Sequence, residues 1–126
     1  MDTLMDVRNK VFDLEERTFT FAYDISLFIE KIPRTLKNTE YSKQLIRSAS
    51  SVAANYIEAN ESLGRKDFFL HLKICRKEAK ESRLWIRLMD LNFNENLAQQ
   101  QKKLAQEAQE LTLIFASILR KAGAIK

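Results

Sequence analysis

Along most of the chain, apolar residues return every three or four positions. That spacing gives a helix one buried side. From Val11 the first run is Leu14, Thr18, Phe21, Ala22, Ile25, Phe28, Ile29 and Ile32. Pro33 closes it, because proline lacks the N–H that continues a helix and disfavours helix in the residue before it. Residues 1–10 are either a free arm or an extension of this helix. Arg34 to Tyr41 reads as a polar connector. The second run places Leu45, Ala49, Val52, Ala53, Tyr56, Ala59 and Leu63 on one side, widened by Ile46 and Ile57. Its middle, Ser48 to Asn55, is almost all small residues, which let another helix approach closely.

Gly64 breaks the pattern, and Asp67 follows in a first turn, where a carboxylate suits the helix dipole. The third run has Phe68, Leu72, Cys75, Ala79, Ile86 and Met89 as its core stripe. Asn92 to Asn96 is a turn, with Asn94 or Asn96 as the next N-cap. The last run, Leu97, Leu104, Ala108, Leu111, Phe115, Ile118 and Ala122, is a bundle seam, with Gln99, Gln100 and Gln101 facing outward. Gly123 is its stop. Four helices over about 11–32, 41–62, 65–92 and 95–122 are therefore predicted. With short links, they make an all-α, antiparallel up-down-up-down four-helix bundle of one domain.

Composition narrows the function more than it names it. Only 2 glycines and 1 proline leave little material for tight-turned sheets. A formal charge of +4 and a pI near 9.3 permit a polyanionic partner without requiring one. A single cysteine excludes an intrachain disulfide and a thiolate metal cage. No secretory signal and no membrane-length apolar run are visible, so a cytoplasmic location and no membrane contact are the default expectation.

The search for chemistry gives little. His71 and Cys75 lie four apart and can touch on a helix, but Cys75 falls on the core stripe, where a thiol acts as a small hydrophobe. No second histidine completes a metal site, and no glycine-rich phosphate loop is present. No catalytic residues, metal or cofactor are expected. Arg47, Ser51, Asn55 and Glu58 share one arc of the second helix, which serves either tight helix packing or a polar groove.

The third helix is the informative one. Lys66, Lys73, Arg76, Lys77, Lys80, Arg83 and Arg87 fall within about 120° of its circumference, and Asp67, Glu78 and Glu81 lie outside that arc. Such an arc is either a solvated face, partly neutralised by acids of neighbouring helices or subunits, or a contact surface for a phosphate backbone. An acidic protein partner is the third option. Leu70, Ile74, Trp85 and Leu88 add apolar surface beyond one stripe, and Phe12, Phe19 and Tyr23 form a second line on the first helix. These seven residues are the expected self-association surface, since Trp85 is costly to leave wet.

Several stretches resemble a known family. They are Arg17-Thr18-Phe19-Thr20-Phe21-Ala22, Gln44 to Ser48 including Arg47, Ser51 to Ala59, Lys66-Asp67-Phe68 and Lys73 to Trp85. The Asn55-x-x-Glu58-Ala59 and Lys77-Glu78-Ala79-x-Glu81-Ser82 elements are the most specific. The resemblance is to the bacterial four-helix bundle proteins encoded by intervening sequences in 23S rRNA genes. Accessory proteins of diversity-generating retroelements belong to the same group. It implies an antiparallel four-helix bundle, a homopentamer, and basic surface associated with RNA or DNA or with a protein partner. Ala59 stands where many members have glycine, and Cys75 where many have alanine.

Overall fold

The computed structural model describes residues 4–123, with side chains from residue 14 onward. Its helices are α1 (Leu4–Lys31), α2 (Leu36–Asn60), α3 (Arg65–Leu88) and α4 (Glu95–Lys121). Each packs on its sequence neighbour, and α1 also meets α4, which closes the bundle. The pairs α1–α3 and α2–α4 are diagonal: their backbones stay apart, and side chains such as Tyr56 and Phe115 meet across the core with ring centroids 6.2 Å apart. Ser48 meets Ser82, Val52 meets Cys75 and Asn55 meets His71. Moving forward along α2 thus means moving back along α3, and the two run in opposite directions.

The core draws on all four helices: Phe21, Ile25 and Phe28; Leu45 and Val52; Leu72 and Ile86; Leu111, Phe115 and Leu119. The α2–α3 contact is the most extensive. Its small residues explain why: Ser48, Ala49, Ala79 and Ser82 are all buried between the two helices. The Ser82 hydroxyl lies 2.8 Å from both the Ser48 hydroxyl and the Glu78 carbonyl. The α1–α4 contact is the sparsest. There Arg17 clamps Glu107 through two hydrogen bonds of 2.8 and 2.7 Å and reaches Glu110 at 2.9 Å.

Several boundaries differ from the periodicity. The backbone of α1 is helical from Leu4, so the ambiguous start is an extension of the helix. α2 begins at Leu36, not near 41, because Thr35 caps it by accepting the Asn38 N–H at 3.1 Å. The expected connector Arg34 to Tyr41 is therefore mostly helix. α3 stops at Leu88 rather than at 92. Gln101, expected to face outward, donates to the Ile86 and Met89 carbonyls at 2.9 and 3.2 Å and satisfies the end of that helix. Asn94 is the α4 cap, accepting the Leu97 N–H at 3.0 Å. Gly123 follows α4 with φ +82°, a left-handed stop, and Arg65 donates to the adjacent Ala122 carbonyl. Ile46, Ile57 and Leu63, expected on the core side of α2, are exposed. Leu63 lies beyond the helix, and Ile57 lines a shallow outer cleft with Phe19.

The α3–α4 link holds two consecutive non-glycine residues in the left-handed region. Asn92 and Phe93 have φ of 53° and 62°, and Phe93 is fully exposed. A bulky residue in the left-handed region costs roughly 1–2 kcal/mol. Phe93→Gly removes that strain without uncovering any core. It is expected to raise stability by about 1 kcal/mol in urea unfolding.

Candidate nucleic-acid interface

The seven cations of α3 separate into two groups. Arg76, Lys77, Lys80, Arg83 and Arg87 line an open groove of about 810 Å³ between α3 and α4, with Leu84 and Ala116 as its apolar part and Thr112, its hydroxyl donated to the Ala108 carbonyl, beside them. Arg83 and Arg87 also border a continuing cleft of about 340 Å³, to which α4 contributes Lys102. Glu81 is the only acid lining either. Lys66 and Lys73 instead border a separate cleft of about 540 Å³ at the start of α3, beside Phe69 and Leu70. The sequence arc therefore holds five of its seven members in one groove.

The pairing pattern matters as much as the placement. Among the described residues, the only ion pair made by these seven cations is Lys77 to Glu78 at 3.8 Å. The closer carboxylate contacts of the bundle go to Arg17, Lys37 and Lys43. Among the described residues, then, no acid of a neighbouring helix pairs with the groove cations. Lys102, Leu84, Thr112 and Ala116 were not legible as groove residues, because their position depends on how α4 packs beside α3.

The residues expected for self-association are spread over the surface. Phe19 and Tyr23 lie on α1, stacked at 6.2 Å and more than half exposed. Leu70 and Leu88 are exposed on α3, while Ile74 is half-buried. Trp85 is covered within the chain: it stacks on Tyr41 at 6.1 Å and packs against the core. Trp85 is thus half-buried by its own chain and does not require a second subunit to shield it. The side chain of Phe12 lies outside the described residues.

The polar arc of α2 does not form a groove of four. Asn55 donates to the Ser51 carbonyl and hydroxyl at 3.0 and 2.9 Å, and its carbonyl faces His71 Nδ1 at 3.0 Å. Arg47 and Glu58 are exposed apart from this cluster. His71 also lies 3.5 Å from Asp67, and not on Cys75. Cys75 is buried beneath the Val52 carbonyl, and burial pushes its thiol up to about 12. At that value it is a neutral packing group. Among the described residues no group of three or more His, Cys, Asp or Glu is placed to hold a metal, and no helix is long and apolar enough to cross a membrane.

Glu78 is under electrostatic stress. Burial, and then neighbouring Glu81, push its carboxyl up, while Lys77 and Arg47 pull it down by less. The folded state therefore holds this proton to higher pH than the unfolded state. Stability is lost as pH rises through the carboxylate range. Glu78→Gln is expected to raise the melting temperature near neutrality and to lose that advantage in acid, where wild type is protonated. Asp90 and Glu110 work in the opposite sense. The Asn92 N–H and Lys37 hold Asp90 low, and Gln106 and Arg17 hold Glu110 low. Their contribution is present near neutrality and lost in acid.

Fold and surface together define a four-helix bundle with a cationic inter-helix groove and no assembled catalytic set among the described residues. The chain belongs to the 23S rRNA-intervening sequence protein family, whose model matches residues 10–117. No curated protein matches it. It is similar to a protein of unknown function from the S23 ribosomal protein family of Bacteroides thetaiotaomicron, known from a crystal structure. The two share 27% identity at a TM-score of 0.72, over 88% of this chain and 98% of that one.

Proposed function

We propose that this chain is a non-enzymatic, self-associating bundle that binds the backbone of RNA or DNA through the α3–α4 groove. The observation that carries this reading is the groove's unbalanced charge. Five α3 cations line it against one acid, and four of the five form no ion pair among the described residues. Cations massed this way repel one another, and a phosphate backbone relieves that repulsion while releasing its own counterions. Self-association is supported by exposed Phe19, Tyr23, Leu70 and Leu88, and a ring of five copies is what the family resemblance implies.

Light scattering with and without a short structured RNA, at two salt concentrations, tests both parts. An oligomer that takes up RNA at low salt and releases it at high salt is the expected result. An oligomer indifferent to RNA favours the second reading, a protein-interaction module, which the same exposed apolar residues support. A monomer that binds no RNA removes both.

A further inference from the structure

We infer that the groove takes double-stranded nucleic acid in preference to single strands, and takes it without regard to sequence. The inference rests on the backbone-binding reading and narrows its substrate class. Arg76, Lys80, Arg83 and Arg87 follow a four–three–four spacing along uninterrupted α3. They stay within about 60° of one another and extend over about 16 Å. A duplex presents about ten phosphate charges over that length, on a stiff rod that need not be straightened to meet a straight row of cations. A single strand is sparser in charge and must lose chain freedom to align.

Single-strand binders meet that cost by stacking bases on aromatic side chains. No aromatic residue lines the groove or the cleft that continues it. Phe69, beside Lys66 and Lys73, has the Arg65 guanidinium 5.2 Å over its ring. Trp85 and Tyr41 stack on each other. Phe19 and Tyr23 are on α1, the helix diagonal to α3.

Sequence reading needs free hydrogen-bonding groups at base edges. The two amides available here are engaged. Gln101 donates to the Ile86 and Met89 carbonyls, and Gln106 donates to Glu110 at 3.2 Å. What remains are lysine and arginine side chains; among the described residues no hydrogen bond holds the Arg76, Arg83 or Arg87 guanidinium in one orientation, so nothing fixes it to a single base edge.

The test is fluorescence anisotropy on the full chain at one low salt concentration. The probes are two RNA duplexes of unrelated sequence, a uridine-only single strand of equal length, and an acidic helical peptide. Duplexes bound alike, and about ten-fold tighter than the single strand, is the expected result. A single strand bound as tightly as the duplexes overturns this inference and leaves the backbone reading standing. So does clear discrimination between the duplexes. No binding to any RNA removes the backbone reading, and the inference with it. Binding of the acidic peptide in place of RNA overturns both and assigns the groove to a protein.

A second variant isolates the stacking argument. Leu84 is 46% exposed, so Leu84→Trp places an aromatic face among the cations without opening the core. It is expected to raise single-strand affinity about ten-fold relative to duplex affinity. No gain on the single strand overturns the argument that missing stacking sets the preference.

Discussion

Reversing three groove cations together, Lys77→Glu, Lys80→Glu and Arg87→Glu, is expected to lower RNA affinity by about 100-fold or more at low salt. The slope of log affinity against log salt should shrink by about 2.7, since each lost phosphate contact removes about 0.9. The three side chains are exposed, and only Lys77 has an acidic partner, at 3.8 Å, so folding should persist. Circular dichroism checks that. The same change at Lys37 and Lys43, outside the groove, reproduces two-thirds of the change in net charge and serves as its control. These two are paired with Asp90 and Glu40 at 3.2 and 3.5 Å. RNA binding that survives the triple reversal would remove the groove as the site. Loss of the oligomer instead would mean that the cations face acids of another subunit.

The same groove shows where sequence reading stops. The arc of cations is a property of one helix, and a helical projection exposes it directly. Which members act together depends on the neighbour. α4 lies beside Arg76 to Arg87 and leaves Lys66 and Lys73 bordering another cleft. No period within α3 encodes that split. The α4 seam was legible as far as Phe115, since Leu97, Leu104, Ala108, Leu111 and Phe115 are all buried; beyond it Leu119 rather than Ile118 is the buried residue, and Ala122 is the cap after the helix. Ile46 and Ile57 misled for the complementary reason: α2 turns its small residues to α3, and these isoleucines project past that contact.

Trp85 failed as evidence for a second subunit because its cover, Tyr41, sits in a segment whose sequence reads as connector. Once Thr35 caps α2, Tyr41 becomes a helical residue beside Trp85. Cap chemistry is local and strong, but it is one side chain against a background of many polar residues. Periodicity begins to speak only where apolar residues recur, near Leu45.

Asn38, in that same capped turn, is where the largest loss of stability is expected. Its side chain is buried at 1% exposure, although it lies in a stretch that reads as polar surface. The amide donates to the Pro33 carbonyl at 2.9 Å and the Asp90 carbonyl at 2.8 Å, and its oxygen accepts the Asp90 N–H at 3.0 Å. One side chain therefore satisfies three backbone groups and ties the α1–α2 turn to the end of α3. Asn38→Leu leaves all three without that partner, at about 2–4 kcal/mol. Chemical denaturation should show the midpoint falling with an unchanged m-value. Lys37→Ala, which removes only an exposed, solvent-screened ion pair to the same Asp90, should move the midpoint far less. Asn38→Asp separates the charge from the shape. It keeps the acceptor for the Asp90 N–H but turns a carboxylate oxygen toward two carbonyls. Its stability should be lowest near neutrality and recover in acid, where the protonated group donates again. Equal losses for Asn38→Leu and Lys37→Ala would show that the turn is held by the surface pair and the α2 cap rather than by the buried amide.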